Sequence, residues 1–310
     1  SVVAIHGNFD DAQTGVKKIF ADKDLAAELA DHGFQFSSAN SINIGRLVPQ
    51  IVYYVYAYAK LFENGEIEKD ETINVTVPTG NFGNILAAYF AKRMGLPIKT
   101  LICASNDNKV LYDFFTTGTY DRKREFILTN SPSMDILISS NLERLIYLSA
   151  GCDASVSAAL MRELSENGSY TVTDEMRRFM EDFVGGYAGQ KQNADTIRRI
   201  FKDTGYLVDT HTGVAAAVYY DYANRTGDTA KTVIASTASP FKFSRSVMEA
   251  VQGADETGAM DEFAVVDALS SLSGVPVPQA VEEIRTAPVR HNLECDVDRM
   301  KDTVKGILKI

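Results

Sequence analysis

Residues 73–94 form the stretch that most limits how this chain can fold. Apolar residues alternate with polar ones over 73–77, which predicts a β-strand. Gly80 and Gly83 follow and predict a tight loop. From Asn84 onward, apolar residues recur at helical spacing. The stretch therefore predicts a strand, a glycine loop and a helix in direct succession.

A glycine loop between a strand and a helix points backbone N–H groups at a ligand. The first N–H groups of a helix lack internal partners, and the helix dipole adds partial positive charge there. The pattern therefore favours a bound anion such as phosphate. An ordinary turn between a strand and a helix fits the same pattern. A nucleotide site fits less well, because the chain has no G-x-x-x-x-G-K-[ST] and the loop does not match G-x-G-x-x-G.

The rest of the chain alternates in the same way between strand and helix patterns. This alternation predicts an α/β fold with an open, mostly parallel sheet and helices on both faces. Gly185 and Gly186 predict a flexible turn. The further predicted strands lie at residues 2–5, 34–36, 99–104, 206–208 and 232–235.

A long helix is predicted from Ile42 to about Phe62, kinked at Pro49. Its apolar residues surround more than one face, which is typical of a buried helix. We therefore expect its four tyrosines to lie in the core; they are Tyr53, Tyr54, Tyr56 and Tyr58.

Composition excludes several classes of function. The net charge of −10 argues against nucleic-acid binding, because no basic stripe offsets it. No apolar run approaches the roughly 20 residues that a bilayer-spanning helix needs. Three cysteines, Cys103, Cys152 and Cys295, lie far apart without metal-ligand spacing. They predict reduced thiols in a cytoplasmic protein and no metal site.

Five blocks of the sequence resemble the threonine synthases. Residues 79–84 with the following helix resemble the loop with which that family binds the phosphate of pyridoxal 5′-phosphate (PLP). The family belongs to the tryptophan-synthase-β-like superfamily (PLP fold type II). Four further blocks occur in the family's order, at residues 38–46, 131–141, 209–214 and 236–240. Several blocks in the family's order between residues 38 and 240 make the resemblance specific.

The resemblance implies PLP as cofactor. The implied contacts to the PLP phosphate come from the loop residues Gly80, Asn81, Phe82, Gly83 and Asn84. Thr237 matches the threonine whose hydroxyl faces the pyridine nitrogen, although the residues alone predict a capped helix start there. The family usually has histidine at the position of Ser239 and proline at that of Thr210. We interpret His211, Asp135 and Asn141 as structural.

The resemblance also implies the reaction, in which O-phosphohomoserine and water become L-threonine and phosphate. Ser41, Asn43 and Arg46 are interpreted as binding the substrate phosphate, since arginine bonds phosphate through two parallel hydrogen bonds. A lone arginine is more often a surface residue. A threonine or serine dehydratase would need no such phosphate site, and a non-catalytic PLP-binding fragment is a third interpretation.

The catalytic lysine is not found among the matched blocks. In this superfamily the Schiff-base lysine precedes the phosphate loop, upstream of the first matched block. Lys242 follows the Thr237 block, where no such role is implied. The expectation is therefore a C-terminal portion, inactive alone, whose partner is the N-terminal part of the same enzyme and whose sheet is incomplete on that side.

The expected domains are three. Residues 1–33 are interpreted as a remnant of a smaller α/β domain, and residues 34–260 as the large PLP-binding domain. Residues 261–310 are expected to form a helical tail packed on the large domain.

Overall fold

The computed structural model describes residues 1–253 and 257–310. The chain divides into two compact units, one formed by residues 1–39 with 282–310 and the other by residues 40–281. These bounds differ from the predicted domain bounds at 34 and 261. Residues 282–310 group with the N-terminal residues, and residues 261–281 belong to the larger unit.

The strands are numbered in chain order. They are β1 (Val3–His6), β2 (Ile73–Pro78), β3 (Ile98–Ser105), β4 (Thr119–Asp121), β5 (Ser169–Thr171), β6 (Phe183–Tyr187), β7 (Thr232–Ile234) and β8 (Leu293–Asp296).

The helices are numbered in the same way. They are α1 (Phe9–Ala21), α2 (Lys23–Asp31), α3 (Ile44–Leu47), α4 (Ile51–Glu63), α5 (Gly83–Arg93), α6 (Val110–Thr117), α7 (Leu142–Ser149), α8 (Ala154–Asn167), α9 (Asp174–Phe179), α10 (Gln190–Thr204), α11 (Thr210–Thr226), α12 (Ser244–Gln252), α13 (Glu262–Ser273), α14 (Gln279–Thr286) and α15 (Met300–Leu308). None of these helices is both long and apolar enough to cross a membrane.

A four-stranded parallel sheet organises the larger unit, in the order β6-β3-β2-β7. Side chains of β3 alternate between its two faces. Leu101 and Cys103 belong to the hydrophobic cluster that contains α5, whereas Ile102 and Ala104 pack with α11. All six residues of β2 are buried. The structure therefore confirms the predicted α/β class, with helices on both faces of a parallel sheet.

The smaller unit is built around a parallel pair of strands, β1 and β8, in which Val3 is opposite Leu293. Helix α1 begins in a capping box, where the Asn8 side chain and Asp11 bond each other's backbone N–H. Two ion pairs join α2 and its N-cap to α15: Lys301 to Asp22 at 2.5 Å and Lys305 to Glu28 at 2.6 Å.

Three local predictions are wrong. Residues 34–36 and 206–208 are not strands. Gly185 and Gly186 lie inside β6 and form no turn. Glycine is needed at these two positions because of packing. A Cβ at Gly185 would be 3.1 Å from the Tyr112 Cα, and one at Gly186 would clash with the Val218 side chain. The two glycines thus let α6 and α11 approach the strand.

The predicted long helix is broken near Pro49. Helix α3 is followed by a 3₁₀ turn at Val48–Gln50 and then by α4. Tyr54 is 4% exposed and belongs to the core, as predicted. The core prediction is wrong for Tyr53 and Tyr56, which are 65% and 62% exposed, because α4 packs on the unit along one face only.

Candidate functional site

A cavity of about 230 Å³ opens where β2 ends, at the position where parallel sheets collect ligands. Every one of the five sequence blocks contributes to its wall. The lining residues are Ser41, Gln50, Val77, Pro78, Thr79, Gly80, Asn81, Phe82, Gly83, Asn84, Ser133, Met134, His211 and Thr237.

The loop that closes one side of this cavity turns at Phe82. This residue precedes α5 and has a φ of 66°, the left-handed region that non-glycine residues rarely adopt. Its ring is buried and packs on Phe115 and Phe183, with centroid distances of 6.0 and 5.6 Å. This packing holds the turn, so Phe82 can offer a ligand only its backbone. The first turn of α5 contains no acidic residue, which leaves its positive dipole end unopposed.

Two glycines allow neighbouring segments to approach the loop closely. A Cβ at Gly80 would lie 2.5 Å from the Ser133 carbonyl oxygen. A Cβ at Gly83 would collide with the Ser41 side chain. Any larger residue at either position would fill space that the loop and its neighbours share.

The backbone acceptors of the loop are already occupied by residues 139–141. Ser139 Oγ donates to the Gly80 carbonyl at 2.7 Å. The Asn81 carbonyl accepts both the backbone N–H of Asn141, at 3.0 Å, and its side-chain Nδ2, at 2.9 Å. The loop therefore has these carbonyls turned toward protein donors.

The two loop asparagines are bonded in a corresponding way through their side chains. Asn81 Oδ1 accepts a hydrogen bond from Ser140 Oγ at 3.1 Å, and Asn84 Oδ1 accepts one from the Tyr54 hydroxyl. With each carbonyl oxygen engaged, the amide NH₂ groups are left as donors. Together with the start of α5, the loop forms a donor-rich surface suited to an anion.

His211 lies on the cavity wall, and both of its ring nitrogens are bonded. Nε2 accepts the backbone N–H of Ser133 at 3.1 Å, and Nδ1 lies 2.9 Å from Asp209 Oδ1. Burial raises the pKa of Asp209, but hydrogen bonds from His211 and Thr212 outweigh this and leave the pKa below its ordinary value. These contacts match the interpretation of His211 as a residue that fixes the turn before α11.

Asp135 ties the segment that carries Ser133 to Asn106, Asn108 and Thr129. Its buried carboxylate accepts from Asn106 Nδ2 at 2.7 Å and from Asn108 Nδ2 at 3.2 Å. It also accepts from the backbone N–H and the hydroxyl of Thr129, at 2.9 and 2.7 Å. Four donors bond the carboxylate, three at Oδ1 and one at Oδ2, which agrees with a structural role.

Thr237 is exposed at the cavity and does not cap the turn that follows it. The cap is Ser239, whose hydroxyl accepts the N–H of Phe241 at 3.2 Å. Lys242 lies over the Phe243 ring, 5.4 Å from its centroid. Within the described part of the chain, no lysine lines the cavity.

The three residues predicted to bind the substrate phosphate are not all brought to the cavity. Ser41 lines it, but Asn43 and Arg46 do not. The Asn43 side chain accepts the N–H of Gly45 at 2.9 Å, and Arg46 is exposed to solvent.

Four further residues support the loop and were not predicted to do so: Tyr54, Ser139, Ser140 and Arg144. Arg144 bonds Asn141 Oδ1 at 3.1 Å and the Ile42 carbonyl at 2.8 Å. Only the run of hydroxyl and amide side chains at 139–141 hinted at such a role. Over residues 1–253 and 257–310, no three side chains of metal-ligand type come together.

Comparison with known proteins gives a consistent result. Residues 212–292 match the family model described as threonine synthase, C-terminal. Threonine synthase-like 1 of Homo sapiens is 42% identical over 81% of this chain and 34% of its own length. The threonine synthase of Schizosaccharomyces pombe is 36% identical over 79% of this chain and 50% of its own.

A solved structure extends the likeness to the whole fold. The PLP-bound threonine synthase from Brucella melitensis superposes with a TM-score of 0.76 at 33% identity, covering 98% of this chain and 59% of that one. The chain thus spans between a third and three fifths of the proteins it matches. By its sequence blocks, its fold and these relatives, the chain is similar to the threonine synthases, whose C-terminal family model it matches over residues 212–292.

Proposed function

We propose that this chain supplies the PLP-phosphate site and part of the substrate site of a threonine synthase. The reaction would convert O-phosphohomoserine and water to L-threonine and phosphate. The observation that supports this most is the donor-rich loop at the start of α5, facing the cavity that Thr237 also lines.

The loop fits the phosphate of PLP. The backbone N–H groups of residues 80–84 and the amides of Asn81 and Asn84 would bind its oxygens. Gly80 and Gly83 let Ser133 and Ser41 pack against the loop and hold it in this shape. Thr237 would face the pyridine nitrogen with a neutral hydroxyl. Bound PLP supplies an aromatic ring that stabilises negative charge on the substrate carbons during bond breaking.

The substrate phosphate would be bound by Ser41, Asn43 and Arg46. Ser41 already lies on the cavity wall and accepts a hydrogen bond from Asn141 at 2.9 Å. Arg46 is exposed, and its planar guanidinium matches two phosphate oxygens at once. Binding of this phosphate by the chain distinguishes a threonine synthase from a dehydratase.

The lysine that would carry PLP covalently is proposed to come from the N-terminal part of the same enzyme, in the cytoplasm. Two observations support this partner: no described lysine lines the cavity, and the matched relatives are much longer than the 310 residues here. By this proposal the chain alone binds PLP without catalysing the reaction.

The test combines two assays on the purified chain. Incubation with PLP and borohydride, followed by peptide mapping, is expected to label no single lysine stoichiometrically. Threonine formation from O-phosphohomoserine is expected only when the N-terminal part is added. A stoichiometrically labelled lysine, with threonine formed by the chain alone, would contradict the proposed division. Deamination of threonine without turnover of O-phosphohomoserine would instead favour a dehydratase.

A further inference from the structure

We propose that Ser139, Ser140, Asn141 and Tyr54 are positioning residues that make the 80–84 loop selective for an anion that only accepts hydrogen bonds. They do so by bonding four oxygen acceptors of the loop: the Gly80 and Asn81 carbonyls and the Asn81 and Asn84 side-chain oxygens. The inference rests on the proposed function, because it explains how the same loop would recognise a phosphate group.

The two asparagine side chains are the part of the loop whose orientation most needs to be fixed. An amide presents an acceptor on one side and two donors on the other, and a rotation of 180° about its last bond exchanges them. Ser140 bonds Asn81 Oδ1 at 3.1 Å, and Tyr54 bonds Asn84 Oδ1. Without these hydroxyls, each amide would be free to turn its oxygen toward the anion and repel it.

Tyr54 is well suited to remain a donor. Its side chain is 4% exposed, and burial raises the pKa of its hydroxyl above the ordinary value. The hydroxyl therefore keeps its proton at neutral pH. It is held there by α4, whose inner face packs on the core that includes α5.

Residues 139–141 are themselves fixed by a second set of bonds. The N–H of Ser139 donates to the Tyr120 hydroxyl at 2.8 Å, which donates in turn to the Leu137 carbonyl at 3.0 Å. Asn141 Oδ1 accepts from Arg144 Nε at 3.1 Å, which leaves the Asn141 Nδ2 to donate to the loop and to Ser41. The direction of the Asn141 bond to the loop is thus set from outside the loop, and the backbone that carries Ser139 is held in place.

The consequence is a choice between ligand classes. An ionised phosphate monoester offers only acceptors, so it would find donors along the whole loop. A sugar or alcohol hydroxyl must also donate its proton, and the loop oxygens that would receive it already bond protein donors. The loop therefore favours a phosphate group over a neutral polyol of similar size.

The first experiment is a double-mutant cycle on Ser140 and Asn81. Affinity is measured by calorimetry for pyridoxine 5′-phosphate, which carries the phosphate but no aldehyde that could react with lysines. Ser140→Ala is expected to weaken binding about three- to tenfold, the effect of one hydrogen bond. In the Asn81→Ala background the same change should alter affinity less than twofold, because no amide is left to orient.

The second cycle uses Tyr54→Phe with Asn84→Ala. The expected pattern is the same: a three- to tenfold loss in the parent and less than a twofold loss in the Asn84→Ala background. Tyr58→Phe is the matched control, since its hydroxyl lies on the same helix but donates to the Glu71 carbonyl. Ser149→Ala, whose hydroxyl bonds Ile146, is the control for Ser140→Ala. Both controls should bind like the parent.

The outcomes separate the two proposals. Denaturant unfolding measures the stability of each variant. If the hydroxyl only stabilised the fold, its removal would lower stability equally in the parent and in the asparagine-to-alanine background. Equal losses of affinity in the parent and asparagine-to-alanine backgrounds would overturn the positioning role while leaving the phosphate site intact. No binding of pyridoxine 5′-phosphate by the folded parent would overturn the proposed function, and this inference with it.

Discussion

Nε2 of His211 accepts the backbone N–H of Ser133 at 3.1 Å, which joins the first turn of α11 to the segment that packs on Gly80. Because the opposite ring nitrogen bonds Asp209, the histidine is held in one orientation. The contact links two blocks that are 78 residues apart in the chain.

Replacing this histidine tests the link. His211→Phe leaves the Ser133 N–H without its partner and removes one of the two hydrogen bonds that Asp209 Oδ1 accepts from residue 211, so the free energy of unfolding should fall by about 1–3 kcal/mol. Chemical denaturation measures it. His32→Phe, at the exposed end of α2, is the control and should change stability by less than about 0.5 kcal/mol. A His211→Phe variant as stable as the control would mean that the link does not stabilise the fold.

Phe82 allows a test of backbone strain. At an ordinary position a protein is more stable with alanine than with glycine. At a φ of 66°, every residue except glycine costs about 1–2 kcal/mol, because its Cβ clashes in the left-handed region. Phe82→Ala and Phe82→Gly should both destabilise the protein, since both lose the packing on Phe183. The glycine variant should nevertheless be at least as stable as the alanine variant. The reverse order in thermal or denaturant unfolding would contradict the observed turn.

Asp228 should make the stability of the fold sensitive to acid. The hydrogen bond from Lys99 is the largest of the effects that hold the pKa of Asp228 well below its ordinary value of 3.8. A carboxylate with a depressed pKa stabilises the fold above its unfolded pKa, and this stability is lost as the pH falls below about 4.

The matching variant is Asp228→Asn. It should lower the free energy of unfolding at pH 7 by about 1–3 kcal/mol, and it should flatten the decline of stability between about pH 4 and pH 2. Unfolding curves across that pH range give both quantities. An unchanged slope would assign the acid sensitivity to other carboxylates.

Arg46 tests the proposed substrate site. Arg46→Lys keeps the charge but loses the planar pair of donors, so affinity for O-phosphohomoserine should fall about tenfold. Affinity for pyridoxine 5′-phosphate should change less than twofold, because Arg46 does not line the loop cavity. Arg198→Lys on the outer face of α10 is the control. Parental affinity for both ligands would place Arg46 outside the substrate site.

The local pattern of residues 73–94 was enough to predict its structure, because strand alternation, loop glycines and helical spacing are all short-range signals. Gly185 and Gly186 misled the prediction because their reason is long-range: α6 and α11 pack against β6 where the glycines lie. Tyr53 and Tyr56 misled it because an apolar helix face is buried only where another element covers it.

For the site, too, short-range patterns could be interpreted from the sequence and long-range contacts could not. The loop, Thr237 and Ser41 are predicted from sequence blocks, and all of them line one cavity. The roles of Tyr54, Ser139 and Ser140 could not be assigned from the sequence, since they depend on hydrogen bonds to residues 30 to 59 positions away. Such bonds become visible only when the chain is folded.

The most direct test of the proposed phosphate site is calorimetric binding of pyridoxine 5′-phosphate to the parent, Gly83→Asp and Gly306→Asp. At Gly83 the new side chain would collide with Ser41 and place a negative charge at the start of α5, whereas the surroundings of Gly306 are open. The parent and Gly306→Asp should bind alike, and Gly83→Asp should show no binding. Parental affinity in a folded Gly83→Asp protein would contradict the account.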